Sequence, residues 1–437
     1  MKLTAAQITA LEALCRRIVP LPPAPDGQAA VLARAVEQRL GGIDPVQARL
    51  IATLLTVLDH PATALLTRGV PVRFSRMAPA RQDAWLRGWE LSRIPARRTI
   101  FQALRRLVLS TWYARPESYA DIGYLGPLHD RAPALPWEGP APGTPTDHEP
   151  IARERAEGSF IPRQLDVVAE PWLRQVTEGA RLGSDTLVHA DVCVVGTGAG
   201  GAVAAARLAE AGFDVVVLEE GGWLRGTDFT EREGEMTEAL YAEKGTRATD
   251  DVSVPMLQGR AVGGGTTVNW MIMLRTRGHV LDEWASEHGT VGMSSADLAP
   301  VFDRIEAETH TRTMPEDAHN PPNRALLDGA RALGWSASPA RINAKGCVRS
   351  GFCGLGCRYD AKQGTAAVHV PMALEAGARL YTDVRVDRVE VTGRGGRAPL
   401  KRVHGTVLER AGGQPRGRVT VEAPVVVLAA GAVGTPA

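Results

Sequence analysis

The stretch from Asp191 to Gly222 reads Asp-Val-Cys-Val-Val, then Gly-Thr-Gly-Ala-Gly-Gly, then an alanine-rich run, then Asp-Val-Val-Val-Leu-Glu-Glu-Gly-Gly. Val192 to Val195 and Val215 to Leu218 are short apolar runs of strand-forming residues, as in buried parallel sheets. The alanine-rich run between them favours a helix, and Gly212 can end it. The stretch therefore predicts one β-α-β unit, around which the rest of the chain is organised.

The turn of this unit carries a G-x-G-x-x-G motif formed by Gly196, Gly198 and Gly201. The first glycine permits a tight turn, the second lets the backbone approach a pyrophosphate, and the third lets the helix sit close to the strand. The helix N-terminus offers free N–H groups to the same pyrophosphate. Glu219 comes 21 residues after Gly198, where a carboxylate can bind an adenosine ribose and would repel a 2′-phosphate. Three glycines and a carboxylate at these positions predict dinucleotide binding rather than an ordinary sheet turn.

Length and composition limit the classes of protein to which this chain can belong. The 437 residues suffice for two or three domains, and the net charge of +1 gives no electrostatic case for binding nucleic acid. The N-terminus has no signal-peptide pattern. The apolar stretch from Leu50 to Leu58 has only nine residues, too few to span a bilayer. We therefore expect no transmembrane segment and a cytoplasmic location.

Residues 1–130 predict an all-α region. Apolar residues recur at helical spacing after the capping residue Thr4, and further helices are expected over Gln28–Leu40, Pro45–Leu58, Ala80–Leu91 and Ala96–Tyr113. The apolar stripes fit a packed bundle and peripheral contact with a membrane surface equally well. Residues 131–187 are rich in proline and are interpreted as an extended connector.

Alternating strand and helix patterns follow from about residue 188. They predict a mixed α/β fold with a Rossmann-like nucleotide-binding domain. Residues 188–290 form its first part, residues 291–345 a substrate or cap segment, and residues 346–437 its second part, with a β-meander and an incomplete C-terminal end. The strands predicted for this part form a meander that returns to the parallel sheet, and they are Arg379–Val391, Lys401–Glu409, Arg418–Ala423 and Val425–Ala429.

Two further segments contain unusual residue patterns. Gly263 to Gly265 are three consecutive glycines followed by two threonines, which suits close approach of backbone to a planar or anionic group, although a flexible loop is the alternative. Cys347, Cys353 and Cys357 lie at spacings of six and four. A zinc or iron–sulfur site usually needs four ligands, and Cys193 belongs to the first strand, so we predict no metal there. A tight turn with small buried thiols, or with one disulfide, is the preferred interpretation.

From about residue 188 to its end the sequence resembles the glucose–methanol–choline (GMC) oxidoreductases, which are FAD enzymes that oxidise alcohols. The segments that carry the resemblance are the β-α-β unit, Leu218–Gly222, Val262–Trp270, Asp383–Val389 and Leu428–Pro436. Cys353–Thr365 and the N-terminal helical region are similar to the long-chain-alcohol oxidase branch, in which a glycine commonly occupies the position of Asp360.

The resemblance implies a set of residues that contact FAD, namely Gly196, Gly198, Gly201, Glu219, Val262, Gly263, Gly265, Asn269 and Val386. The turn glycines would cradle the pyrophosphate, and Glu219 would hold the ribose. The residues between 262 and 269 would approach the flavin and its ribityl chain, and Val386 would meet the adenine through its backbone. Some relatives carry a histidine, covalently joined to the flavin, where this chain has Val268, so FAD should be bound non-covalently.

No catalytic residue can be transferred from the family. The second family signature continues past Thr435-Pro436, where this sequence ends, and the catalytic histidine of the family comes later. We interpret six of the ten histidines as surface or structural residues: His279, His288, His310, His319, His369 and His404. The chain is thus expected to be the FAD-binding N-terminal portion of an enzyme that oxidises hydrophobic or long-chain alcohols, inactive by itself, with an unidentified electron acceptor.

Two alternatives stay open at this stage. An NAD-dependent dehydrogenase would use the same β-α-β unit and would explain Glu219. It leaves the triple-glycine loop and Thr435-Pro436 unexplained. A non-catalytic flavin-binding subunit would work only with a second chain that supplies the missing C-terminal half.

Overall fold

The computed structural model describes residues 2–19, 27–41, 45–63, 71–127, 170–249, 254–392, 400–410 and 413–437. Contacts divide the chain into two units. The helical unit comprises Met1–Asp130 and Arg232–Gln258, and the sheet unit comprises Arg131–Glu231 and Gly259–Ala437. Most of the proline-rich stretch that was interpreted as a connector lies outside the described residues.

The elements of the described chain are numbered in sequence order. The helices are α1 Ala5–Ile18, α2 Gln28–Leu40, α3 Pro45–Asp59, α4 Pro79–Glu90, α5 Pro95–Tyr113, α6 Gly201–Glu210, α7 Glu233–Leu240, α8 Gly265–Val268, α9 Gly278–His288, α10 Ser295–Glu308, α11 Pro321–Ala332, α12 His369–Glu375 and α13 Gly431–Gly434. The strands are β1 Val176–Thr177, β2 Asp185–His189, β3 Val192–Val195, β4 Val215–Leu218, β5 Thr311–Thr313, β6 Arg341–Asn343, β7 Arg379–Tyr381, β8 Val384–Thr392, β9 Leu400–Leu408, β10 Pro415–Ala423 and β11 Val425–Leu428.

The helical unit is held together by the apolar faces of its helices, as the sequence predicted. α1 packs against α2 and α3, and α5 packs against α2 and α4. Leu14, Trp85 and Leu104 are buried in the shared core. Thr4 caps α1 in a reciprocal pair of hydrogen bonds with Gln7. Among the described residues, no helix combines the length and apolar character needed to cross a bilayer.

Residues 232–258 also belong to the helical unit, whereas the sequence analysis assigned them to the first part of the FAD-binding domain. The reason is the packing of α7, which buries Met236 and Leu240. Gly234 lies against the end of α5 so closely that an added Cβ would be 2.4 Å from the Cβ of Ala114. The acidic composition of this segment concealed its two buried apolar side chains.

The sheet unit is built on a parallel sheet with the strand order β1-β7-β4-β3-β11. β3 pairs with β4 from Val192 opposite Val215, and β11 pairs in register on the other side of β3. Both faces are covered: Val192 and Val215 pack among the alanines of α6 and residues of α12, and Cys193 packs against the second sheet. This arrangement confirms the predicted Rossmann-like domain.

The second sheet has the order β2-β10-β9-β8, in which β8, β9 and β10 form the antiparallel meander. Residues 170–187 were expected to be part of the connector, but they join both sheets. Val176 in β1 pairs with Leu380, and Leu187 in β2 pairs with Thr420. These strands are short and depend on partners more than 200 residues away along the chain, so the local sequence pattern did not reveal them.

Three helices of the sheet unit meet at a buried histidine. His369 in α12 is 1% exposed, and its Nε2 lies 3.1 Å from Oε2 of Glu308 in α10. Arg207 in α6 pairs with the same carboxylate. Burial lowers the pKa of His369, and the neighbouring Glu308 acts against that shift. His369 is therefore buried between three packed helices, where a histidine with a structural role would be expected.

Replacement of Gly234 should test the placement of α7. We expect Gly234→Ala to lower the free energy of unfolding by about 1–3 kcal/mol, because the new methyl group must displace Ala114. Gly88→Ala is the matched control, since Gly88 is an exposed residue of α4 with nothing within 4 Å of an added Cβ, and it should gain about 0.5–1 kcal/mol. Urea unfolding followed by circular dichroism measures both. Equal stability of the two variants would contradict the packing of α7 on α5.

Candidate functional site

The glycine turn between β3 and α6 contains two kinds of glycine: those packed tightly against neighbouring atoms and one that faces open space. A Cβ at Gly196 would lie 2.4 Å from the carbonyl oxygen of Ala429, and a Cβ at Gly201 would lie 2.0 Å from the oxygen of Gly196. Gly196 also has a φ of 99°, which favours glycine. By contrast, a Cβ at Gly198 would meet nothing within 4 Å. The backbone at Gly198 therefore faces open space at the N-terminus of α6, where helix N–H groups lack intrahelical acceptors.

Glu219 follows β4 and is bonded directly to this turn. Its Oε2 accepts hydrogen bonds from the backbone N–H of Thr197 at 2.9 Å and from the Thr197 hydroxyl at 2.6 Å. Its Oε1 accepts one from the N–H of Gly221 at 2.9 Å. The side chain is 7% exposed. Burial raises the pKa of Glu219, and these hydrogen bonds act in the opposite direction. Both carboxylate oxygens are thus engaged inside the protein, and contact with a ribose stays a prediction.

The triple-glycine loop packs on the same turn. The N–H of Gly263 donates to the Thr197 hydroxyl at 3.0 Å. Gly263 has a φ of 89°, and an added Cβ there would lie 2.4 Å from Oγ1 of Thr267. A Cβ at Gly264 would lie 3.0 Å from the Cα of Gly198. The structure therefore brings Gly198, Glu219 and Gly263 together, with Thr197 as the shared partner.

A threonine from a distant part of the chain completes this junction. The Thr365 hydroxyl donates to the carbonyl of Thr197 at 3.0 Å, across 168 residues of sequence. It also lies 2.9 Å from Oγ1 of Thr266, which in turn accepts from the Thr365 N–H at 2.9 Å. Neither Thr197 nor Thr365 was predicted as a site residue. A hydroxyl at the variable position of G-x-G was the available signal for Thr197. Thr365 ends the Cys353–Thr365 segment of the family resemblance, but nothing in that segment indicates a contact with Thr197.

The glycine loop continues into α8, which begins at Gly265, and then into Asn269. The Asn269 side-chain oxygen accepts a hydrogen bond from the N–H of Met271 at 3.1 Å. The ammonium group of Lys362, a residue that the sequence analysis did not single out, donates to the carbonyls of Thr267 at 2.8 Å and Asn269 at 2.7 Å. Lys362 is 5% exposed, and burial lowers its pKa to about 8.

Val262 and Val386, the two valines predicted to contact FAD, lie in different environments. The side chain of Val262 is 1% exposed in the core of the sheet unit, so only its backbone can face a ligand. Val386 lies on β8, opposite Gly405 of β9, at the edge of the meander sheet. Two residues earlier, the N–H of Val384 donates to the carbonyl of Glu219 at 2.9 Å. The start of β8 is therefore beside Glu219, while no hydrogen bond joins Val386 to the glycine turn in the described chain.

The three clustered cysteines are free thiols, and the alternative with one disulfide is not formed. Cys347 and Cys353 pack against Met271 and Ile342. Burial raises the pKa of Cys353 and Cys357 above that of an ordinary thiol. Within the described ranges, no group of three or more histidine, cysteine, aspartate or glutamate side chains is arranged to hold a metal ion.

Two cavities open beside these segments. The smaller, about 180 Å³, is lined by residues that include Thr266 and Gly364 and by an aromatic wall in which Arg225 lies 5.0 Å from the ring centroid of Trp223. The larger, about 880 Å³, has a mainly apolar lining that includes Met271, Ile272, Met314, Leu327 and Ile342. His319, expected at the surface or in a structural role, also lines the larger cavity. Lys362 lines both cavities.

Comparison with known proteins shows which proteins this chain resembles. Residues 237–437 match the family model of the N-terminal domain of GMC oxidoreductases, and residues 194–251 match an NAD(P)-binding Rossmann-like domain. The chain is 34% identical to the long-chain-alcohol oxidase FAO4B of Arabidopsis thaliana over 251 residues, which is 57% of this chain and 33% of that protein. It is 38% identical to an uncharacterized GMC-type oxidoreductase of Mycobacterium tuberculosis over 261 residues, 58% of this chain and 39% of that protein.

A solved structure among the matches is pyridoxine 4-oxidase from Mesorbium loti. It is 20% identical, with a TM-score of 0.42, over 56% of this chain and 50% of that one. The chain spans between a third and a half of the length of the first curated relatives that it matches.

Replacement of Thr197 should show how much the junction depends on one hydroxyl. Thr197→Val keeps the shape of the side chain, but it leaves the buried Gly263 N–H without an acceptor and removes one of the three hydrogen bonds that Glu219 accepts. We expect it to lower the free energy of unfolding by about 2–4 kcal/mol, measured by guanidinium unfolding. Thr197→Ser is the matched control and should cost about 1 kcal/mol, for one lost methyl group. If serine destabilises as much as valine, packing of the methyl group rather than the hydroxyl holds the junction.

Proposed function

We propose that the chain is the FAD-binding part of a GMC oxidoreductase, an enzyme of an FAD-dependent family, and that this enzyme oxidises CH–OH groups. The observation that carries the proposal is the junction of the glycine turn with the triple-glycine loop. Thr197 and Glu219 hold these two backbone segments together while Gly198 faces open space. Open backbone at a helix N-terminus suits the binding of a diphosphate.

The residues fit the cofactor segment by segment. The turn from Gly196 to Gly201 would hold the diphosphate through backbone N–H groups, and Glu219 would brace the turn close to the ribose. Gly263, Gly265 and Asn269 would face the flavin and its ribityl chain. The backbone of Val262 would contact the flavin end of FAD, and the backbone of Val386 would contact its adenine end. When bound, FAD supplies the hydride acceptor that the side chains of the protein cannot provide.

Hydrophobic or long-chain alcohols are the proposed substrate class. The support is twofold: Arabidopsis relatives carry the name long-chain-alcohol oxidase, and the cavity of about 880 Å³ is large and mainly apolar. A location in the cytoplasm is part of the same proposal, because the cysteines are free thiols, as expected in a reducing compartment. The electron acceptor is left open.

We assign no catalytic base to this chain. His369 is buried against Glu308, and His404 lies on β9 with its Nε2 3.2 Å from Oε2 of Glu390. Neither lines a cavity described above, and His319, which does, matches no motif of the family. We propose that the chain by itself does not turn over alcohols, and that turnover needs a base from a further segment or a complementing chain.

An NAD-dependent dehydrogenase is the second candidate. The match of residues 194–251 to an NAD(P)-binding domain favours it, since a β-α-β unit with an acidic residue after the second strand serves either dinucleotide. The triple-glycine loop bonded to Thr197 has no role in that alternative. The identity of the bound cofactor therefore separates the two candidates.

The first test is cofactor content. After expression and desalting, or after incubation with FAD, the chain should show the visible absorbance of a flavin. Acid precipitation should release all of the flavin into the supernatant, because Val268 cannot form a covalent bond to it. Mass spectrometry of the supernatant should identify FAD. Recovery of NAD instead, or the lack of any bound flavin after incubation, would rule out the proposed function.

The second test uses the open position in the turn. Gly198→Ala should weaken FAD binding at least tenfold with an unchanged melting temperature, because its Cβ enters free space that the diphosphate would need. Gly183→Ala is the control, an exposed loop glycine that also has nothing within 4 Å of an added Cβ. Fluorescence titration with FAD and thermal melting of the apoprotein measure the two properties. Unchanged FAD affinity in Gly198→Ala would place the diphosphate elsewhere.

A further inference from the structure

Lys362 is a buried lysine whose ammonium group is fully hydrogen-bonded to backbone. Its Nζ donates to the carbonyls of Thr267 at 2.8 Å, Asn269 at 2.7 Å and Cys353 at 2.5 Å. An ammonium group has three N–H donors, so all of them are used. Within the described ranges, no carboxylate pairs with it. A buried cation is costly unless its hydrogen bonds are satisfied, so this arrangement requires all three carbonyls to stay in place.

The three carbonyls belong to two separate segments. Thr267 and Asn269 are at the C-terminal end of α8, where helix carbonyls have no intrahelical donor. Cys353 belongs to the loop from Gly346 to Cys357, called here the cysteine loop. Lys362 thus fastens the end of the triple-glycine loop to the cysteine loop.

The segment that Lys362 holds has an unusual backbone. Met271 has a φ of 65°, a conformation that residues other than glycine seldom adopt. The Asn269 side-chain oxygen accepts from the N–H of the same residue. Such a conformation persists only where surrounding contacts enforce it. Lys362 also lines both cavities, so it forms part of the wall between the smaller cavity beside Thr266 and the larger apolar one.

We propose that Lys362 is a positioning residue for the flavin end of the cofactor, because its ammonium group fixes Thr267 and Asn269 against the cysteine loop. The inference rests on the proposed function, since it assumes that Asn269 faces the flavin. Lys362 has no hydrogen bond to the glycine turn at Gly196–Gly201 among the described residues. The diphosphate and adenine end of the cofactor should therefore not depend on it.

This separation gives a test with two probes, FAD and ADP. ADP carries the adenine, ribose and diphosphate without the flavin. In the full chain we expect FAD to bind more tightly than ADP, and Lys362→Met should weaken FAD binding at least fivefold while ADP affinity stays within twofold. The visible circular dichroism of bound FAD should also change, since it reports the surroundings of the flavin ring. Lys345→Met, which alters an exposed lysine nearby, should change neither affinity nor spectrum.

The outcomes separate the two proposals. If the wild-type chain binds neither probe, the proposed function fails. If it binds FAD no more tightly than ADP, or if Lys362→Met weakens both equally or neither, the role of Lys362 is wrong while cofactor binding stands. Retained ADP binding shows that the variant is folded. Should Lys362→Met not fold, Lys362→Gln, which keeps two donors, is expected to weaken FAD selectively by a smaller factor, and an equal loss of both probes would overturn the inference.

Discussion

The buried hydrogen bonds between Thr197 and Glu219 are the constraint on which the candidate site depends. A carboxylate that is 7% exposed must have its oxygens satisfied, and here the acceptors are filled by the glycine turn and by Gly221. The same Thr197 hydroxyl accepts from Gly263, so the shape of the turn and the position of the triple-glycine loop are set together. The Glu219 carboxylate therefore holds the glycine turn and, through Thr197, the triple-glycine loop in place, whether or not a ribose contacts it.

The glycines of the site fall into two groups, according to whether an added Cβ would clash with neighbouring atoms. Gly196, Gly201 and Gly263 are surrounded by atoms that a Cβ would strike at 2.0 to 2.4 Å, so the fold itself requires glycine there. Gly198 and Gly265 have nothing within 4 Å of an added Cβ, so the protein alone would tolerate alanine. Glycine at these two positions leaves room for the cofactor of the proposed function to approach the backbone, since no atom of the described residues lies within 4 Å of an added Cβ there.

Local pattern decided what the sequence could predict. The strands from Val192 to Val195 and from Val215 to Leu218 were predicted with the bounds that the structure has, because buried parallel strands read as continuous apolar runs. β1 and β2, by contrast, are short and gain their stability from distant partners. Thr365 and Lys362 reach the site only after the chain has folded back. Both lie in the Cys353–Thr365 segment that carries part of the family resemblance, but the residues of that segment do not indicate which distant groups they contact. The predicted glycines therefore lie together at one place in the fold, their contact with a cofactor stays a prediction, and the side chains that fasten them were not predicted.

The residues from Lys362 to Thr365 connect the glycine turn, the triple-glycine loop and α8. These three segments together are called here the cradle. Lys362 holds the end of α8, a Cβ at Gly364 would lie 2.8 Å from the carbonyl of Thr266, and Thr365 bonds to the turn at Thr197. One short segment thus contacts the triple-glycine loop at two points and the first turn at a third. The cradle has no complete surface until these distant segments have met, so the unfolded chain offers no comparable binding site. A ligand that binds only the assembled cradle stabilises the folded state by an amount that rises with its affinity and concentration, so binding of the proposed cofactor would be thermodynamically linked to folding of the sheet unit.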